Sequence, residues 1–174
     1  MSGNSQYIIS FSGLTPGEHE FKYNINDTFF KELEFSEVEH GNINVVVKLN
    51  KQSGGLILNM NLNGFVGQVC DRCAEDFDMA VESSRQLVIK TGGTELVEEA
   101  DIVYLPASQH DFDLQHYIYE SIILALPIKR IHPEDENGKS DCNPATLKKL
   151  KELSINEEEN TDPRWAALKN LKIN

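Results

Sequence analysis

Between residues 56 and 63 the chain reads LILNMNLN. Leu56, Leu58, Met60 and Leu62 fall on one parity, and Ile57, Asn59, Asn61 and Asn63 on the other. A two-residue period is that of a strand with one buried face, because successive side chains leave a strand on opposite sides. The preceding run NINVVVKLN is rich in β-branched residues, and KQSGG supplies a turn, so the two runs read as a hairpin. FDMAVESSRQLVIK continues as a further strand, with Phe77, Met79 and Val81 on one face. Gly64 and Gly67 are expected to mark a bend or a bulge.

Shorter strands are expected at QYIISF and HEFKYNI, on either side of the turn cluster SGLTPGE, and at DIVYLP. TGGTELVEEA reads as an acidic loop. DTFFKELEF reads as a short helix capped by Asp27, with Phe29, Phe30 and Leu33 turned inward.

The second half turns helical. In DFDLQHYIYESIILALP, Leu114, Ile118, Ser121, Ile122 and Ala125 recur at helical spacing; Asp111 or Asp113 can cap the helix and Pro127 stops it. CNPATLKKLKEL has Asn143 as N-cap and Pro144 in the first helical position. The run 156–161 is an acidic linker. DPRWAALKNLKIN repeats the Asp-then-Pro start, with Trp165, Leu168 and Leu171 on one stripe. The predicted fold is α+β: an antiparallel sheet in the N-terminal part, open or partly closed into a barrel, with helices in the C-terminal part. Residues 1–155 form one domain, followed by the linker 156–161 and a terminal helix over 162–174.

Chemistry concentrates at GQVCDRCAEDF, where Cys70 and Cys73 stand in C-x-x-C spacing at the turn between two strands. The N-terminus has neither a basic n-region nor a long apolar run, so export is not expected and a cytoplasmic location is. The cysteine count of three is odd, which argues against a structural disulfide framework. Three uses remain open: a metal, a redox pair, or two reduced thiols with no ligand. Zinc needs four tetrahedral ligands, and Cys70, Cys73, His132 and Cys142 would complete such a set, although His132 and Cys142 are further apart than in ordinary fingers. A redox pair of the thioredoxin type sits at a helix N-terminus, whereas strands flank this one, and Asp71, Glu75 and Asp76 oppose an uncompensated thiolate.

A net charge of −12 weighs against broad binding to phosphate backbones, DNA included. No nucleophile elbow, P-loop, H-E-x-x-H or dinucleotide fingerprint is present. The densest basic stretch carries Lys148 and Lys149, with Lys129 and Arg130 upstream; these residues, together with Arg164 and Trp165, are the candidate contacts to a partner or to RNA. A solvated helix face is the preferred reading of the lysines, and Trp165 is equally well explained as docking the last helix on the body.

CDRCAEDF after a strand, the acidic loop, DFDLQHYIYESIILALPIKRIH, a Cys-bearing loop and the terminal DPRWAALKNL follow one another in an order that resembles the YceD family of large ribosomal RNA subunit accumulation proteins. The resemblance implies a role in making or retaining large-subunit rRNA, and it brings no catalytic residue. The partner it implies is a ribosomal RNA precursor or a large-subunit assembly protein, since the family's genes tend to neighbour one for a large-subunit ribosomal protein. Many members carry further cysteines in the loop after the LALP helix. Here His132 stands near one such position and Cys142 remains, in keeping with a Cys3His zinc site. The expected function is therefore a non-enzymatic accessory factor in large-subunit rRNA processing or ribosome assembly, with no membrane or DNA partner. The alternatives are a direct RNA binder using the Lys129 to Lys151 region, and an enzyme such as a nuclease or a C-x-x-C thiol oxidoreductase.

Overall fold

The computed structural model describes residues 5–136 and 138–154. The linker 156–161, the predicted helix 162–174, Arg164 and Trp165 lie outside the described residues. In chain order the elements are β1 (Ile8–Ser10), β2 (Gly17–Ile25), α1 (Asp27–Lys31), β3 (Gly41–Gln52), β4 (Gly55–Val69) and β5 (Asp76–Gly93). Then follow β6 (Val97–Glu99), β7 (Ile102–Pro106), β8 (Asp111–Asp113), α2 (Gln115–Ala125) and α3 (Pro144–Leu153).

The alternating segments become the long strands. The β4 register runs unbroken from Gly55↔Gln52 to Val66↔Gly41 against β3, and from Gly55↔Lys90 to Val69↔Asp76 against β5. A strand of 15 residues spans roughly 50 Å. The β4–β5 hairpin is thus a long lever whose closing turn, residues 70–75, lies at the far end. Leu56, Leu58, Met60 and Leu62 are all buried, beside Val45, Val47 and Leu49 of β3 and Leu87 and Ile89 of β5. Each such side chain contributes about 1.5–3 kcal/mol when fully buried. A one-residue slip would turn the whole set to solvent, so the register is strongly specified.

Of the bend or bulge expected at Gly64 and Gly67, no bulge forms, since the β4–β5 register passes through both without a shift. Gly64 serves close approach instead: a Cβ there would lie 2.1 Å from the Asn42 carbonyl oxygen.

The sheet has six strands in the order β2-β3-β4-β5-β7-β6 and is open, with β2 and β6 as its edges; it does not close into a barrel. All its pairs are antiparallel except β5 with β7, which is parallel. The acidic segment between them is not a bare loop, because it carries β6, an exposed strand on the outer edge of β7. β1 and β8 form a separate two-stranded pair. Asp111–Asp113 is therefore strand rather than helix: Phe112 is buried opposite Ile9, and α2 starts only at Gln115, whose N–H donates to the Asp113 carboxylate. Helix α2 lays Ile118 and Ile122 into the core. The cap of α1 is Asn26, which accepts from the Thr28 N–H; Asp27 instead accepts from the Gly41 N–H. Asn143 caps α3 as expected, accepting from Ala145 and Thr146. Among the described residues, no helix is long and apolar enough to cross a membrane.

Candidate metal centre

The tip of the β4–β5 hairpin is a tight turn. The Cys70 N–H donates to the Glu75 carbonyl at 2.9 Å, and the Ala74 N–H donates to the Cys70 carbonyl at 2.8 Å. Ala74 takes the left-handed backbone conformation at φ 60°, a position its small side chain tolerates better than a branched one. The Arg72 N–H points at the Cys70 Sγ at 3.4 Å. The turn thus presents two sulfurs and already offers one of them a donor.

The other half-site comes from the loop after α2. Its wide spacing is taken up locally, because the insert folds onto itself. Glu134 bridges to Ser140, the Asp135 N–H donates to the Lys139 carbonyl at 2.9 Å, and the Gly138 N–H donates to the Asp135 carbonyl at 2.9 Å. Gly138 has φ +75°, so glycine suits this tip. The small hairpin brings its two ends, His132 and Cys142, back together.

The four side chains meet. Cys70 Sγ lies 3.7 Å from Cys142 Sγ; His132 Nδ1 lies 3.4 Å from Cys73 Sγ and 3.7 Å from Cys142 Sγ. All four ligand atoms lie within 4.8 Å of one another. Zinc bonds of about 2.3 Å to sulfur and about 2.0 Å to nitrogen give a tetrahedron with sulfur–sulfur edges of about 3.8 Å and sulfur–nitrogen edges of about 3.5 Å. The three distances of 3.4–3.7 Å match those edges, the remaining ones lie within 4.8 Å, and no pair of sulfurs is at the roughly 2.05 Å of a disulfide. The set is closed, with Cys70 1%, Cys73 6%, Cys142 2% and His132 9% exposed. Phe77 stacks on the His132 ring at 4.6 Å, and Ile131 and Leu147 pack on the sulfurs.

The electrostatics fit a cation. Burial alone would push the Cys70 thiol up, but N–H groups of Cys73, His132 and Arg72 and the His132 ring bring it down to about 5. Burial pushes the Cys73 thiol up, and the sulfurs of Cys70 and Cys142 add to this against the N–H groups of Asn143 and Glu75. The pocket thus favours one thiolate and resists a second, a conflict that a divalent cation removes. Cys70, Cys73, His132 and Cys142 would hold zinc, which in such a closed four-ligand shell supplies cross-linking rather than an open coordination position.

The half-sites are also clamped outside the cluster. Asp71 and the Arg130 backbone bond each other, Arg72 pairs with Glu134 at 3.2 Å, and the Asn143 amide donates to Glu75 at 2.6 Å. Asp71 and Glu75, which by charge alone oppose a thiolate, are spent as hydrogen-bond acceptors. Glu134 first, then Cys142, hold the Arg72 guanidinium charged.

The basic candidates part ways. Arg130 is half-buried, its guanidinium bonded to Gln68 at 2.9 Å and paired with Glu37 at 3.6 Å. Lys129, Lys148 and Lys149 are exposed, and Lys148 faces Glu152 at 3.9 Å on α3. Arg164 and Trp165 are outside the described residues. Sequence reasoning missed Phe77 as the cover of His132 and the three clamps; the charged residues at 71, 72 and 75 against the charged 130 and 134 and the amide of Asn143 were the only trace of them.

Fold and site together define a class: an α+β protein whose long hairpin ends in a Cys3His cluster closed by a loop from after the central helix. The chain belongs to the YceD family, described as large ribosomal RNA subunit accumulation protein YceD, whose model matches residues 58–172, well over half of the chain and both half-sites. No curated protein and no solved structure matches the chain significantly. The family's name places it in the accumulation of large-subunit ribosomal RNA.

Proposed function

We propose that this protein is a non-enzymatic accessory factor in large-subunit rRNA processing or ribosome assembly, acting by contact with a protein partner or a precursor particle. Zinc in the Cys3His cluster is structural in this reading and fixes the loop after α2 to the tip of the β4–β5 hairpin. The observation that carries the reading is membership of the YceD family. The closed shell supports it, since catalytic zinc sites keep an open position. So does the charge of −12, which favours protein contact over naked RNA.

The test is sedimentation of tagged protein from native lysate through a sucrose gradient, at low and high salt and after RNase. Co-migration with large-subunit precursors that survives high salt is the expected result. Loss at high salt would point to an electrostatic RNA contact instead. Protein confined to the top of the gradient would overturn a stable particle-bound role.

A further inference from the structure

β2 is an outer strand of the six-stranded sheet, and among the described residues no backbone group bonds to its free edge. That edge is long, nine residues from Gly17 to Ile25 with the sequence GEHEFKYNI. An edge of this length is a template for another strand unless the sequence prevents it. Lysine on an edge usually serves as such a guard, and Lys22 is the only one on β2. Its position gives it another use.

We propose that two copies of this chain pair along β2, antiparallel and centred on Phe21, so that their sheets join into one. The sequence is self-complementary about that centre. Residue 20 of one copy falls opposite residue 22 of the other, so Glu20 meets Lys22 of the second copy and Lys22 meets its Glu20. Both side chains are exposed on the outer face of the sheet, and within one chain they now turn to each other at 2.9 Å. On the inner face Phe21 falls opposite Phe21, and Tyr23 opposite His19. Phe21, Tyr23 and His19 are each only half-buried here, and the second strand would cover their open side. Gly17, at φ +121°, and the Asn26 cap of α1 bound the strand at both ends, so the paired segment is the same length in both copies. The register centred on Glu20 would also set Glu18 opposite Lys22 twice, but it puts Glu20 against Glu20, a like-charge contact that the register centred on Phe21 avoids.

The experiment uses the full chain in sedimentation velocity over a wide concentration range. Wild type is expected to dimerise. Glu20→Lys and Lys22→Glu, each alone, put like charges opposite one another at two places and should weaken dimerisation about tenfold or more. An equimolar mixture of the two variants restores both opposite-charge pairs and should form the mixed dimer. Amide exchange in β2 should slow on going from dilute to concentrated wild-type protein, a readout that needs no variant. A wild type that stays monomeric at all concentrations overturns the proposal. So do single variants that dimerise like wild type, which would place the contact elsewhere, and a mixture that fails to pair, which would exclude this register. Capture of an extended segment of a different protein by a monomeric wild type would likewise replace the second copy as occupant.

Discussion

Asp71 and Arg130 hold each other twice: the Asp71 N–H donates to the Arg130 carbonyl at 2.7 Å, and the Arg130 N–H donates to the Asp71 carboxylate at 2.6 Å. The two residues belong to opposite half-sites of the Cys3His cluster. The pair therefore sets how the loop after α2 approaches the hairpin tip before any metal is bound. Asp71→Ala removes one of the two bonds and should cost about 1 kcal/mol in urea unfolding. It should also weaken zinc binding about tenfold, the lower end for residues that orient metal ligands. Asp71→Asn keeps an acceptor oxygen and should lose less on both counts. Equal zinc affinity in Asp71→Ala and wild type would show that the pair does not orient the site.

Protein purified without a metal-affinity step should contain one zinc per chain by elemental analysis. Cys142→Ser and His132→Ala should each lose it, and a chelator should lower the melting temperature of wild type but not of these variants. At a free zinc concentration about a thousandfold above the dissociation constant, the metal stabilises by about 4 kcal/mol. A wild-type protein free of metal and indifferent to added zinc would refute a metal centre and leave three reduced thiols packed on a histidine.

The parity of residues 56–63 was enough to predict β4, because alternation needs nothing beyond the residues themselves. The parallel pairing of β5 with β7 was not legible, because it depends on β6, whose three exposed residues carry no hydrophobic period. By type Asp111 and Asp113 suit a helix start better than a strand; the burial of Phe112 between them and its pairing opposite Ile9 decide for the strand. The four members of the Cys3His cluster were legible from donor chemistry, and the structure brings them together. The spacing of His132 and Cys142 looked too wide because the backbone bonds that close the insert, from Asp135 to Lys139 and from Asp141 to Pro133, leave no motif. Asp71 and Arg130 stand 59 residues apart, a distance at which no sequence period operates.

Gly64 is a tight position of a different kind. Its would-be Cβ meets backbone, the Asn42 carbonyl oxygen at 2.1 Å and the Ile43 Cα at 2.6 Å, and backbone cannot swing aside as a side-chain end can. Gly64→Ala should destabilise by about 1–3 kcal/mol, the range for overpacking a tight site. Gly54→Ala is the control: nothing lies within 4 Å of its would-be Cβ, and denaturant titration should show a smaller change.

Asp27 should account for part of the acid sensitivity of the fold. The Gly41 N–H first, and then His40, hold its carboxyl below the usual value of 3.8. A carboxyl whose folded value is depressed binds protons more weakly in the folded chain, so its stabilisation is complete above the unfolded value and fades as pH falls through the folded one. Asp27→Asn should therefore be less stable than wild type at pH 6, with the gap closing below pH 3.8. Chemical unfolding of both proteins across that range checks this; a gap that widens on acidification would give the opposite sign and remove Asp27 as the cause.

Lys148 and Lys149 separate the protein-contact reading from the direct RNA one. Both are exposed on α3, which buries no residue among those described, and Lys148 already faces Glu152. Reversing both charges should barely change stability, since exposed charges contribute little. If the protein reaches the ribosomal precursor through a protein partner, Lys148→Glu with Lys149→Glu should leave its sedimentation with that particle unchanged at both low and high salt. If α3 grips RNA phosphates, the double variant should fall to the top of the gradient, and wild-type binding should drop steeply with salt, with log affinity linear in log salt at a slope of about −0.7 to −0.9 per phosphate contact. A chain already carrying −12 is a poor vehicle for such a grip unless the two lysines act locally, and the double reversal removes that local charge while leaving the Cys3His cluster and its clamps untouched.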